Sequence, residues 1–410
     1  MISSESGNHE HEHWPQRLLP SMAGWRIQPI GSTFAAILMT LIGALLFTTL
    51  VLITTGVSPL AAFRLIVLDA FSSPIKRADT IMLATPLLLC TAGLTLTFSA
   101  GLYNLGIEGQ MVLGAVCAMI PLRLLPDLPP PLLWTLAITI GALGGGLWAL
   151  FAALLKLYGH ISEIFAGLGL NFLATGITLY LIFGPWKRPG TASMSGTQPL
   201  PAELWLPRLE GLRLAPLAPI IALLALALVW FALKYTHWGL TVKAVGINPV
   251  AAMRLGVPVH RRLIETLVGC GMLAGIAGTL QVLAVFHALV PNISSGLGFL
   301  ALLIVLLVQA RPVWVLPVVL VFASFSIGSI RLPLALSIDS SISGVLQGAL
   351  VLFALVARSL IKARGVFREQ GTGDRGQMCA VYQHCACGSC HRERGVYRTM
   401  IPQNGRSRCR

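Results

Sequence analysis

Apolar residues fill most of this chain in runs of about twenty, and short polar segments punctuate them. Coiled as helices, runs of that length match the roughly 30 Å hydrocarbon core of a bilayer. They fall at 33–55, 80–99, 102–121, 132–155, 161–183, 214–233, 264–287, 296–310, 313–330 and 342–361, which predicts an all-α polytopic bundle of about ten spans. The run 296–310 is short, so the pair around it is expected to tilt or to be partly re-entrant. Gly141, Gly144, Gly145 and Gly146 in the fourth run, and Gly269, Gly271, Gly275 and Gly278 in the seventh, predict close helix packing.

Two polar-edged segments interrupt the pattern. In Gly246-Ile247-Asn248-Pro249-Val250-Ala251-Ala252-Met253-Arg254-Leu255-Gly256, Asn248 suits an N-cap and Pro249 the first helical position. Gly256 suits a left-handed stop and Pro258 prevents continuation, so a helix is predicted over Pro249–Leu255. A rod of roughly 10 Å does not hold itself in water. It is either a solvated loop with a chance cap or an element that leans on a partner surface, for which Val250, Ala251 and Met253 offer a small apolar face.

The other segment, Gly101-Leu102-Tyr103-Asn104-Leu105-Gly106-Ile107-Glu108-Gly109-Gln110, carries three glycines and the polar side chains Asn104, Glu108 and Gln110. A carboxylate at membrane depth costs about 2.5–3.5 kcal/mol on insertion scales, so Glu108 is expected to face protein or water. The segment reads as a broken helix lining a solute path, or as a polar lock between neighbouring helices, and the two are compatible.

Composition narrows the class. With 55% hydrophobic and 11% charged residues and a mean hydropathy of +0.79, the chain is not a soluble globular domain. The net charge of +14 would suit a polyanion ligand, but eleven cations against three acids lie within 357–410 and most others lie in loops. Charge therefore speaks to orientation rather than to nucleic acid. Lys243, Arg254, Arg261 and Arg262 surround the short helix with no acid between Lys234 and Arg262, which places that loop, and both termini, in the cytoplasm and the loop 184–213 outside.

Residues 1–30 form a polar tail with His9, His11 and His13 at alternate positions and no signal-peptide order. Residues 31–362 form the membrane domain, and 363–410 an Arg/Cys-rich tail expected to be disordered. Cys387 and Cys390 have a zinc-compatible spacing without a second pair, so no metal and no cofactor are expected. Cys90, Cys117 and Cys270 sit in apolar runs as small hydrophobes, and Asn292-Ile293-Ser294 is a chance glycosylation triplet.

Gly101 to Gln110, followed by Ala244-Val245-Gly246-Ile247-Asn248-Pro249-Val250-Ala251-Ala252 and Leu255-Gly256-Val257, resembles the permease subunits of ATP-binding-cassette importers for simple sugars and nucleosides, in the branch of bacterial guanosine and purine nucleoside permeases. The likeness covers 33 to about 362. It implies a bacterial inner-membrane permease without an active site, moving a nucleoside or simple sugar inward. It implies as partners a cytoplasmic ATPase, a second permease, identical or homologous, and an extracytoplasmic solute-binding protein, with lipid around the spans. The loop 234–263 would couple to the ATPase, with Gly246, Asn248, Pro249, Ala251, Ala252 and Gly256 at the matching positions. Gln309-Ala310-Arg311-Pro312 keeps only the Arg and Pro of the family's turn after the eighth span.

The sequence has no phosphate-binding loop of the Walker type, so hydrolysis falls to a partner. The alternative of an ion-coupled secondary transporter calls for midplane acids in both halves, and only Glu108 qualifies. A membrane enzyme calls for clustered acids and histidines, whereas Glu163, Glu265 and His287 are scattered. Phe98, Tyr103, Phe286 and Phe299 could stack on a nucleobase or merely pack.

Overall fold

The computed structural model describes residues 30–54, 72–188, 196–308 and 312–336, together with isolated positions at 58 and 60 and between 345 and 360. Both tails, the turn 309–311 and most of the expected tenth span lie outside the described residues.

The described residues form α1 (Ile30–Thr54), α2 (Pro74–Ser99), α3 (Ile107–Leu124), α4 (Pro130–Leu157), α5 (Glu163–Phe183) and α6 (Leu217–Tyr235). They continue as α7 (His237–Ile247), α8 (Pro249–Arg254), α9 (Val259–Leu280), α10 (Leu297–Val308) and α11 (Pro312–Leu336). A π turn over Gln281–Phe286 extends α9. β pairing among the described residues is an isolated antiparallel bridge between Lys187 and Thr197.

Among the described residues, six helices are long and apolar enough to cross a membrane: α2 to α6, and α9 with its π turn. The expected third span begins as a helix only at Ile107, and the short run 296–310 becomes the 12-residue α10. At 1.5 Å per residue α10 is about 18 Å long, too short to cross alone.

The centre of the bundle is α2, α3 and α9. The spanning window of α2 is 89% buried, against 22% for α5 and for α6, because α2 is apolar all round and neighbours surround it. Its buried hydroxyls stay satisfied within the helix: Thr85, Thr91 and Thr95 donate to the carbonyls of Ile81, Leu87 and Thr91 at 2.8, 2.6 and 2.8 Å.

α9 lies against α3 and α4 at the expected glycines. A Cβ on Gly275 would stand 2.2 Å from the Gly141 carbonyl oxygen, and one on Gly145 would stand 2.3 Å from that of Gly271. Gly114, not singled out from the sequence, meets Gly275 in the same way, since its Cβ would lie 2.2 Å from the Gly275 Cα. Backbones this close pack through dispersion where lipid offers no hydrophobic drive.

Candidate functional site

The two interrupted segments build two connected regions. The polar break runs from Ala100 to Gly106 between α2 and α3. Gly101 turns the chain with φ +78, a conformation that glycine adopts without strain. Asn104 then organises the interior: its Oδ1 accepts from the Gly106 amide at 3.1 Å and from Gln110 Nε2 at 3.2 Å, while its Nδ2 donates to Gln110 Oε1 at 2.9 Å and to Cys270 Sγ at 3.2 Å. Asn104 and Gln110 are 2% and 1% exposed, so this reciprocal amide pair replaces water for both. The contact with Cys270 places the break well inside the run 259–286.

Glu108 reaches a third element. Its Oε1 accepts from the Phe299 amide at 3.1 Å, with the Gly298 amide and the Ser294 side chain also bonded to the carboxyl. Gly298 permits the approach, because a Cβ there would meet Glu108 Oε1 at 3.1 Å. The carboxyl thus lies in the first turn of α3 and at the start of α10, near the positive ends of two helix dipoles. The chain reaches α10 from the far end of α9 by the irregular segment 287–296, so two non-helical stretches converge on one buried polar knot.

Asn171 on α5 closes the knot: its Nδ2 donates to the Leu105 carbonyl and its Oδ1 accepts from the Gly109 amide, both at 2.8 Å. Sequence reasoning missed Asn171 and Ser294. A lone Asn in the apolar run 161–183 was the available signal, whereas Ser294 had been set aside within its triplet.

The second region is the loop around α8. Asn248 caps the helix, its side chain accepting from the Ala251 amide at 3.0 Å, with Pro249 at the first position. Leu255 closes it, Gly256 turns left-handed at φ +80, and the Val257 amide donates to the Ala252 carbonyl at 3.0 Å. The helix ends one residue before the expected Leu255.

Its two sides differ. Ala252 is 3% exposed and packs with Val245 and Val259, tying α8 to α7 and α9. Val250, Met253 and Leu255 are 51, 54 and 82% exposed, and Lys243, Arg254 and Arg261 in the same stretch of chain are exposed as well. Gly246 faces the bundle: a Cβ there would stand 2.2 Å from the Ser99 carbonyl oxygen and 3.1 Å from the Gly101 nitrogen. Glu265 braces the loop, accepting from Trp238 Nε1 on α7, Arg261 Nε and Arg262 Nη1, each at 2.7 Å.

At the opposite end, loop 196–208 lies along the end of α9. Thr197, Leu200 and Leu206 donate backbone hydrogen bonds to Leu289, His287 and Leu283. Trp205 stacks on His287 with centroids 4.0 Å apart, and Arg208 contacts both. Burial lowers the Arg208 guanidinium from its ordinary value, with Arg213 adding to the effect. The remaining acid named from the sequence, Glu163, pairs with Lys156 across the turn between α4 and α5. Among the stacking candidates, Phe98 is 2% exposed and packs edge-on against Tyr103 at 5.1 Å.

Residues 77–355 match the family described as branched-chain amino acid transport system / permease component. The chain belongs to this permease family. The permease is 24% identical over 339 residues to the guanosine ABC transporter permease protein NupP of Bacillus subtilis, covering 82% of this chain and 96% of that one. A second guanosine permease protein of that organism, NupQ, is 27% identical over 273 residues, 62% of this chain and 82% of its own. The glucose ABC transporter permease protein TsgB13 of Haloferax volcanii is 25% identical over 342 residues, 81% of this chain and 90% of its own. No solved structure matches. The permease is a transport component rather than an enzyme.

Proposed function

We propose that the permease is the membrane subunit of an ATP-driven importer that moves a nucleoside or simple sugar into the cytoplasm, and that α8 is the helix docked by the partner ATPase. The observation that carries this reading is the division of α8. Ala252 holds it to the bundle while Val250, Met253 and Leu255 stand exposed, which is more apolar surface than a solvated turn needs. Guanosine and glucose permeases among the relatives support the solute class, and the NupP and NupQ pair supports a second permease beside this one. An extracytoplasmic binding protein would then meet the end that carries loop 196–208. The ten-span topology also belongs to this reading, with α10 and the irregular segment 287–296 together completing one crossing.

In this orientation the α8 end faces the cytoplasm. Charge is less one-sided in the fold than in the α8 loop alone: the opposite end holds Lys187, Arg188, Arg208 and Arg213 beside Glu203 and Glu210. The apolar face of α8 is the stronger support.

The test is association. Val250→Glu with Met253→Glu, both on the exposed side, is expected to cut recovery of the ATPase with the tagged permease roughly tenfold, a loss of about 1.4 kcal/mol. The amount in the membrane should stay unchanged. Undiminished recovery would remove α8 as the docking element.

A further inference from the structure

We propose that the backbone contact between Gly246 and Gly101 is the joint through which displacement of α8 reaches the polar break; this rests on the ATPase-docking reading above. The two segments that the sequence set apart touch one another in the fold. A Cβ on Gly246 would stand 2.2 Å from the Ser99 carbonyl oxygen, and one on Gly101 would stand 3.2 Å from the Gly246 carbonyl oxygen. With no side chain on either glycine, backbone rests on backbone. Such a contact transmits movement without the slack of a rotatable side chain.

Each side of the joint is stiff. On the α8 side, Ala252 packs on Val245 of α7, one residue before Gly246, and Glu265 ties the start of α7 to α9 through Trp238. On the other side, Leu102 shares a buried cluster with Val242 and Leu233, and its amide donates to the Thr97 carbonyl at 2.9 Å. Asn104 follows two residues later, bonded to Gln110, and Glu108 beyond it holds the start of α10. A push on α8 therefore meets packed or hydrogen-bonded groups at every step to the knot, where Ser295 and Gly296, both left-handed at φ +49 and +74, precede α10 as a place for the chain to bend.

Amide hydrogen exchange on the assembled importer, with and without a non-hydrolysable ATP analogue, reads the joint without needing the solute. In the parent, exchange is expected to change at both 246–256 and 100–106, by about fivefold or more. In Gly246→Ala the change should remain at 246–256 and vanish at 100–106. A parent response at 246–256 with none at 100–106 would overturn the joint, and so would a Gly246→Ala protein that keeps both responses. The parent comparison decides the matter even if Gly246→Ala does not accumulate. Absence of any response at 246–256, with the analogue bound, would instead count against the docking of α8.

Discussion

Replacing Glu108 isolates the knot from the rest of the bundle. Glu108→Leu leaves the Phe299 and Gly298 amides without their acceptor in a site only 6% exposed. Each orphaned buried donor costs about 1–3 kcal/mol, so the two together cost roughly 2–6 kcal/mol. The cost of a carboxylate in lipid does not offset this, because α3 remains inserted when the helices separate and carries that cost in both states. Glu108→Gln keeps one oxygen for Phe299 but turns an NH2 toward a second donor, a loss of about 1 kcal/mol. Cys90 and Cys270, both 0% exposed, report the opening once Cys117, which is partly exposed, and the five tail cysteines are replaced. Their labelling by a thiol-reactive fluorophore during heating in detergent is expected to begin at falling temperatures in the order parent, Gln, Leu. Gly298→Ala, whose Cβ would meet Ile107 Cγ2 at 2.9 Å, should shift the midpoint the same way with the carboxylate intact. A Leu variant with the parent's midpoint would refute the account of Glu108 as the cap of α10.

Asn171→Leu removes a donor from the Leu105 carbonyl and an acceptor from the Gly109 amide, and in the same thiol assay should cost about 2–4 kcal/mol, while Thr175→Ala one turn away should cost far less. Single cysteines at Glu203 and Arg254, both exposed, are expected to react with an impermeant reagent from opposite sides of the membrane; same-sided labelling would break the proposed orientation.

What could be read from the sequence was local. The cap of α8 needed only Asn248, Pro249 and Gly256, because turn and cap chemistry acts within a few residues, and the structure places the helix to within one position. The break at 101–110 was visible because polar groups and glycines there cannot face lipid. The partners of those groups were not visible, since Asn104 and Cys270 are 166 residues apart and Glu108 and Phe299 are 191. Apolar runs also misled at the first break. The run 102–121 continued through 102–106, where the chain turns before α3, because hydropathy registers the apolarity of a buried irregular segment as readily as that of a helix.

Asn171 shows what a stricter reading would have recovered. An amide in a span must be satisfied by protein, either by another side-chain amide, as Asn104 and Gln110 satisfy each other, or by backbone freed from helix, as at Asn171. A single Asn in an apolar run with no amide partner therefore points to a broken helix, and the sequence held one such break. The same reasoning separates Ala252 from Met253. Both lie on a helix too short to stand alone, so one side had to be anchored, and the smaller residue takes the inside, where α7 and α9 leave little room. The larger one is left on the exposed side, and its 54% exposure is what an undocked partner surface would show.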